Sequence, residues 1–131
     1  MNLRHVLKKY DNLEQLLLDK DLAELGDSYV NFVYSLAMSQ KRKHPMGAKV
    51  DNETLAEAVI KSGLRRFLPH RVDRHGRGNA AEALLVFAWL RDLLEFSDCI
   101  DALNRESDPS TGFANLIKTV LRKLGVADEG R

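Results

Sequence analysis

The sequence has little of what several functional classes require. Its 131 residues include a single cysteine, Cys99, which excludes an internal disulfide and any zinc site built from several cysteines. No apolar run approaches the ~20 residues that span a bilayer, and the basic N-terminus lacks the apolar stretch of a signal peptide. Glycine-rich phosphate loops and His/Cys metal spacings are also missing. We therefore expect an intracellular, cytoplasmic protein.

The distribution of apolar residues predicts a helical protein. They make up 44 % of the chain, which is enough for one domain with a hydrophobic core. They recur at helical spacing almost throughout, and no segment alternates as a strand does. We predict a single all-α domain over residues 1–131. The predicted helices lie at about 13–17, 21–40, 53–62, 79–96, 98–105 and 113–124, with a basic loop at 69–78 and a turn at 108–112.

Capping residues support two of these helices. Asp11 or Asn12 is the predicted cap of the first helix, because short polar side chains satisfy free amide groups at helix starts. Asp51 or Asn52 is the predicted cap of the third helix, which Gly63 ends. The intervening loop after the second helix contains Pro45 and Gly47.

Charge is segregated along the chain, although the net charge is only +1. Lysine, arginine and histidine concentrate at residues 41–49 and 61–77, which together contain a single acid, Asp73. Acids concentrate at residues 11–27 and 92–108. Such segregation suits a polyanionic ligand that binds beside an acidic, metal-binding cleft. The alternative is that the basic segments are solvated loops.

Two acidic residues, Asp27 and Glu82, lie in largely apolar helical segments. Burying an unpaired charge costs several kcal/mol, so such carboxylates are usually paired or metal-bound. If the two helices meet, the carboxylates form an oxygen-lined site suited to Mg²⁺ and to phosphodiester chemistry. Simpler interpretations exist. Asp27 could accept backbone hydrogen bonds at a helix boundary, and Glu82 could favour the first helical turn through the macrodipole.

Three segments carry a family resemblance. Residues 22–28 (LAELGDS) resemble the signature helix of the ribonuclease III family, and residues 79–85 (NAAEALL) resemble its second acidic motif, Asp-x-x-Glu-Ala-Leu. Between them, residues 50–64 resemble the connecting stretch of that family. The resemblance covers roughly residues 12–95, and the chain is similar in size to small, free-standing archaeal-type members. We expect no double-stranded-RNA-binding domain.

The acid set is reduced compared with the family pattern. Ala23 and Lys20 stand four and seven positions before Asp27, where the family has acids, and Asn79 replaces the aspartate of the second motif. Only Asp27 and Glu82 match residue for residue. This pattern is similar to the mini-ribonuclease III branch.

The resemblance implies a ribonuclease III endonuclease-domain-like fold and a metal-dependent endoribonuclease that acts on double-stranded or structured RNA as a homodimer. It implies that Asp27 and Glu82 are catalytic and hold Mg²⁺ or Mn²⁺, with Asn79 and Glu24 assisting. The residues expected to bind RNA are Lys41, Arg42, Lys43, Arg65, Arg66, Arg71, Arg74, His75 and Arg77.

Two alternatives belong to other functional classes. The non-acidic Lys20, Ala23 and Asn79 are compatible with an inactive family member that binds RNA or a protein partner. The motif match could also be chance in a helical structural or interaction protein. In that case the carboxyl groups of Asp27 and Glu82 should lie far apart.

Overall fold

The computed structural model describes residues 3–126, and this part of the chain is helical with no strand. The prediction of an all-α domain is therefore confirmed. Among the described residues, no helix is both long and apolar enough to cross a membrane. The α-helices are α1 (Leu13–Leu17), α2 (Lys20–Arg42), α3 (Asn52–Ser62), α4 (Arg74–Leu90), α5 (Phe96–Arg105) and α6 (Pro109–Lys123), and short 3-10 helices lie at Arg4–Val6 and Leu64–Phe67.

The predicted caps of α1 and α3 are confirmed. The Asn12 side chain accepts a hydrogen bond from the Gln15 amide, and Asp51 accepts one from the Thr54 amide. Gly63 ends α3 with φ at 83°, in the left-handed region that glycine adopts without steric cost. Local chemistry therefore sets both ends of α3.

The predicted start of the fourth helix is wrong. Residues 74–78 belong to α4 rather than to a loop, because the Asp73 carboxylate accepts a 2.8 Å hydrogen bond from the Gly76 amide and caps the helix earlier. The predicted end is also wrong, since α4 stops at Leu90 and Phe96 begins α5. Glu95 and Asp98 form a capping box that separates the two helices.

The predicted turn at 108–112 is helical. Asp108 caps α6, and Pro109 occupies its first turn, where a missing amide hydrogen has no cost. The predicted start at Phe113 was therefore four residues late.

Helix α4 forms the centre of the fold, with α1, α2, α3 and α6 packed against it. Its segment from Ala80 to Ala88 is buried at every position, so nearly its whole circumference contacts other helices. Each large apolar side chain buried in such a core contributes about 1.5–3 kcal/mol. The largest fully buried side chains include Val30 and Val33 of α2, Leu55 and Val59 of α3, Leu84 and Leu85 of α4, and Ile117 and Leu121 of α6.

Candidate metal centre

A close crossing of α2 and α4 positions the two predicted carboxylates. Gly26 lies directly against the backbone of Glu82, and a Cβ at position 26 would be 2.1 Å from the Glu82 carbonyl oxygen. No residue except glycine fits there without moving a helix. The neighbours Ala80, Ala81 and Ala83 are small and buried, which also permits close packing. Asp27, next to this contact, is thereby brought against the Glu82 side chain.

The Asp27 and Glu82 carboxyl groups are hydrogen-bonded to each other. Glu82 is only 6 % exposed. Burial, and then the hydrogen bond and negative charge of Asp27, raise the pKa of Glu82 to about 8. Without a cation, Glu82 therefore keeps a proton near neutral pH and donates it to Asp27. Within residues 3–126, none of the ion pairs includes either carboxyl group.

Neither simpler interpretation of these acids holds. Glu82 lies in the middle of α4, more than two turns from its start at Arg74, so the helix macrodipole does not account for it. Asp27 lies inside α2 rather than at its boundary. Its carboxylate accepts a 3.3 Å hydrogen bond from the Asn31 side chain one turn later.

The carboxyl pair opens into a cleft of about 850 Å³ between α2, α4 and the start of α3. The assisting ligands predicted from the sequence, Glu24 and Asn79, both line it. His75, Asn79 and Glu82 are spaced by four and three residues, so they share one face of α4. The full lining is Lys20, Ala23, Glu24, Asp27, Lys49, Val50, Asp51, Asn52, His75, Asn79 and Glu82.

The third wall of the cleft was not identified from the sequence. Asp51 was predicted only as a helix cap, and hydrogen bonds from Thr54 do lower its pKa. The same residue also faces the cleft, beside Asn52. The Asn52 amide nitrogen lies 3.2 Å from Nδ1 of His75, which links the first turns of α3 and α4.

Asn31 is a second residue that sequence reasoning missed. Its amide nitrogen donates to Asp27, and its amide oxygen accepts a 2.9 Å hydrogen bond from the Val50 backbone. Asn31 therefore holds the Asp27 carboxylate and the segment before α3 at the same time. Its position four residues after Asp27, on the same helix face, is the signal that could have found it.

The donor set fits one divalent ion. In the described range of 3–126, no three or more His, Cys, Asp or Glu side chains come together as metal ligands, so Glu24 does not complete a three-acid cluster with Asp27 and Glu82. Mg²⁺ needs only one or two protein carboxylates, because it retains water and takes phosphate oxygens. A cation between Asp27 and Glu82 would replace the shared proton, and Asn79 supplies an amide oxygen nearby.

The predicted RNA-binding residues divide into three groups, of which two differ in their distance from the cleft. His75 lines the cleft, and Arg71 and Arg74 are exposed next to it in sequence. Lys41, Arg42 and Lys43 lie at the other end of α2. Fifteen residues separate Asp27 from Arg42, which corresponds to about 22 Å along the helix axis.

Three of the predicted arginines also brace the basic loop. Arg65 donates to the carbonyl oxygens of Leu68, Pro69 and His70. Arg77 donates to the Val72 carbonyl oxygen at 3.0 Å. Arg66 stacks over the Phe67 ring at 4.8 Å from its centroid. These contacts give the three arginines a structural role in addition to their charge.

Comparison with known proteins identifies a family. A sequence model described as ribonuclease III matches residues 20–127, a range that contains the whole lining of the cleft. A search of curated proteins found no match.

Proposed function

Because this chain belongs to the ribonuclease III family, we propose that it is a metal-dependent endoribonuclease that hydrolyses phosphodiester bonds in double-stranded or structured RNA. Family membership supports a ribonuclease-like function at that level, and ribonuclease III enzymes generally use a divalent metal ion. The observation that carries the proposal is the Asp27–Glu82 carboxyl pair, which lies at a helix crossing and opens into a cleft. RNA processing in the cytoplasm is the proposed setting.

One alternative from the sequence is wrong. A chance motif match required Asp27 and Glu82 to lie far apart, whereas their carboxyl groups are in contact. The family match over residues 20–127 also contradicts it.

Asp27 and Glu82 are the proposed ligands of one Mg²⁺ or Mn²⁺ ion, with Asn79 and Glu24 assisting from the cleft walls. When bound, this ion supplies an activated water and relieves negative charge on the leaving oxygen. Glu82 then releases its proton to solvent and acts as a carboxylate. The Asn31 amide keeps Asp27 oriented, and the Gly26 crossing excludes water from the core side of Glu82.

The basic residues are proposed to bind the RNA backbone. Double-stranded RNA is recognised mainly by its shape and by phosphate and 2′-hydroxyl contacts, so cations along a surface are sufficient. His75, Arg71 and Arg74 would contact phosphates next to the cleft. Lys41, Arg42 and Lys43 would contact the duplex about 22 Å away. Arg65, Arg66 and Arg77 would shape the loop between these contacts.

Helix α2 also offers a surface for the proposed homodimer. Leu25 and Phe32 are 45 % and 55 % exposed, and their seven-residue spacing puts them on one face. The Phe32 ring packs edge-on against Phe96, which positions one of these two side chains. Sedimentation equilibrium measures the oligomeric state directly. A protein that is monomeric at micromolar concentration would contradict the proposed homodimer.

The test of the function is cleavage of duplex RNA by the pure protein with Mg²⁺. We expect cleavage that chelation stops and that Asp27→Asn reduces by at least about 100-fold, since one charge-stabilising contact is worth that much. Glu57→Gln is the matched control, because Glu57 is exposed on α3 outside the cleft. If wild type and Asp27→Asn bind RNA equally and neither cleaves it, the inactive family member is the correct interpretation.

A further inference from the structure

The cleft contains two lysines, Lys20 and Lys49, beside its acidic residues. In the part of the chain between residues 3 and 126, the ion pairs involve other cations, and neither lysine takes part in one. A lysine ammonium group repels a divalent ion that is bound in the same cleft. Their presence therefore needs a physical reason.

The position of Lys20 is unfavourable for helix stability. It is the first residue of α2, where the positive end of the macrodipole opposes a cation by typically 0.3–1 kcal/mol. The adjacent acids do not compensate it. Asp19 accepts a hydrogen bond from the Tyr10 hydroxyl, and both Asp19 and Asp21 lie 3.6 Å from Lys8. Lys20 is thus opposed by the helix macrodipole, and it lines the cleft together with Glu24, which follows it by one turn of α2.

The geometry of α2 relates Lys20 to the carboxyl pair. Lys20 precedes Asp27 by seven residues, or two turns, so both lie on the same helix face about 10 Å apart along the axis. Both side chains line the same cleft, and a lysine side chain extends about 6 Å from its Cα atom. Lys49 lies instead on the connection before α3, so its ammonium group is less firmly placed relative to Asp27.

The reaction needs one more positive charge than a single divalent ion held by Asp27 and Glu82 provides. Two carboxylates neutralise one divalent ion. Among the described residues no third acidic side chain clusters with them as a metal ligand, although Glu24 and Asp51 line the same cleft. Hydrolysis adds negative charge to the phosphodiester as it proceeds, and enzymes with two ions place the second one against the leaving oxygen. A fixed ammonium group can stabilise the same charge.

We propose that Lys20 contacts the scissile phosphodiester and takes the place of a second metal ion, so that the site works with a single divalent cation. This role rests on the proposed function. In the reaction, a water oxygen bonds to phosphorus while the bond from phosphorus to the leaving ribose oxygen breaks with its electron pair. The water loses a proton to solvent, and the leaving ribose oxygen gains a proton from solvent. The Lys20 ammonium group stays protonated throughout and neutralises negative charge on the phosphate and on the leaving oxygen.

The first measurement is metal binding without RNA. Titration with Mn²⁺, followed by electron paramagnetic resonance, should give one ion per chain in the wild type and none at this site in Asp27→Asn. Lys20→Gln should bind Mn²⁺ about three- to tenfold more tightly, because a positive charge in the same cleft is removed. Lys118→Gln, an exposed lysine of α6 outside the cleft, is the control with the same change of charge.

The second measurement is cleavage of duplex RNA at saturating Mn²⁺. Lys20→Gln should lower kcat about 100-fold with little change in KM, because the lost contact forms fully only in the transition state. Lys20→Arg keeps the charge and should recover most of the activity. The opposite signs of the two effects, tighter metal binding and slower cleavage, distinguish this role from a structural one.

Three outcomes would overturn the role of Lys20. Unchanged or faster cleavage by Lys20→Gln would make the lysine only a competitor of the metal ion. A higher KM with unchanged kcat would make it a general RNA-attracting charge. Binding of two Mn²⁺ ions per wild-type site would mean that a second metal ion is present and that Lys20 does not replace it. These three outcomes leave the proposed function intact. A wild-type protein that neither binds Mn²⁺ nor cleaves RNA would contradict the proposed function as well.

Discussion

Two polar contacts between helices differ in how their charges are balanced. Between α3 and α6, the Lys61 ammonium lies 2.9 Å from the Asp108 carboxylate and 2.6 Å from the buried Ser110 hydroxyl. Between α2 and α4, Asp27 and Glu82 present two acids to each other. The hydrogen bond from Lys61 lowers the pKa of Asp108, whereas burial and the adjacent acid raise that of Glu82.

The comparison separates a contact that is complete within the protein from one that requires an external cation. The Lys61 contact satisfies its own hydrogen bonds and needs nothing more. At neutral pH, the Asp27–Glu82 contact reaches its fully charged form when a cation replaces the shared proton. Changes at the two places should therefore have different effects on stability and on activity.

Gly26→Ala should have the largest effect. The new Cβ would overlap the Glu82 carbonyl oxygen, so the helices must separate, at a cost of about 3 kcal/mol in the free energy of unfolding. RNA cleavage should fall as well, because the carboxyl groups move apart. Urea denaturation and a cleavage assay measure the two effects.

Gly47→Ala is the matched control for this change, since a Cβ at position 47 meets nothing within 4 Å. It should leave stability and cleavage near wild type. If Gly26→Ala were as stable as Gly47→Ala, the close approach of α2 and α4 would not exclude a side chain at position 26.

The next largest effect should be the pH dependence of stability that the Asp27–Glu82 contact causes. The pKa of Glu82 is about 8 in the folded chain against an ordinary value of 4.5, so the folded state binds more protons between these values. The resulting stabilisation is complete below about pH 4.5 and is lost as pH rises towards 8. We expect a loss of about 2 kcal/mol, less than the full shift because water reaches the cleft side of the carboxyl group.

Glu82→Gln isolates this effect, because glutamine imitates the protonated acid and does not titrate. With metal chelated, urea unfolding at pH 5 and pH 8.5 should show the loss in wild type but not in the variant. Equal pH dependence of the two proteins would mean that Glu82 ionises normally.

Lys61→Gln should have the smallest effect and should be confined to stability. The lost hydrogen bond to Ser110 should lower the melting temperature by about 4 °C. Cleavage should stay near wild type, because Lys61 lies outside the cleft. A loss of activity without a change in melting temperature would contradict the difference in role between the Lys61 contact and the Asp27–Glu82 contact.

Short-range chemistry made much of the fold predictable. Asn12, Asp51 and Gly63 were identified correctly because capping depends on a few adjacent residues. The starts of α4 and α6 were predicted too late for one reason. The segments that contain Gly76 and Pro109 were predicted as a loop and a turn, although Asp73 and Asp108 cap helices there.

The candidate site was only partly predictable, because its geometry depends on contacts between distant segments. The motifs identified Asp27 and Glu82, but the burial of Glu82 depends on Gly26 of another helix. Asn31 belongs to no motif, Asp51 was predicted only as a helix cap, and Lys20 was noted only as a departure from the family's acids. Only the packing of α2, α3 and α4 gives them a common cleft.

The Gly26 crossing has a consequence for the choice of ion. Because a glycine lies against the Glu82 carbonyl group, backbone contact fixes how far apart the two carboxylates are anchored, and side-chain repacking cannot widen that separation. Mg²⁺ binds oxygen at 2.0–2.1 Å and Ca²⁺ at 2.3–2.6 Å. A helix pair that cannot spread should therefore discriminate between cations by radius and favour the smaller one.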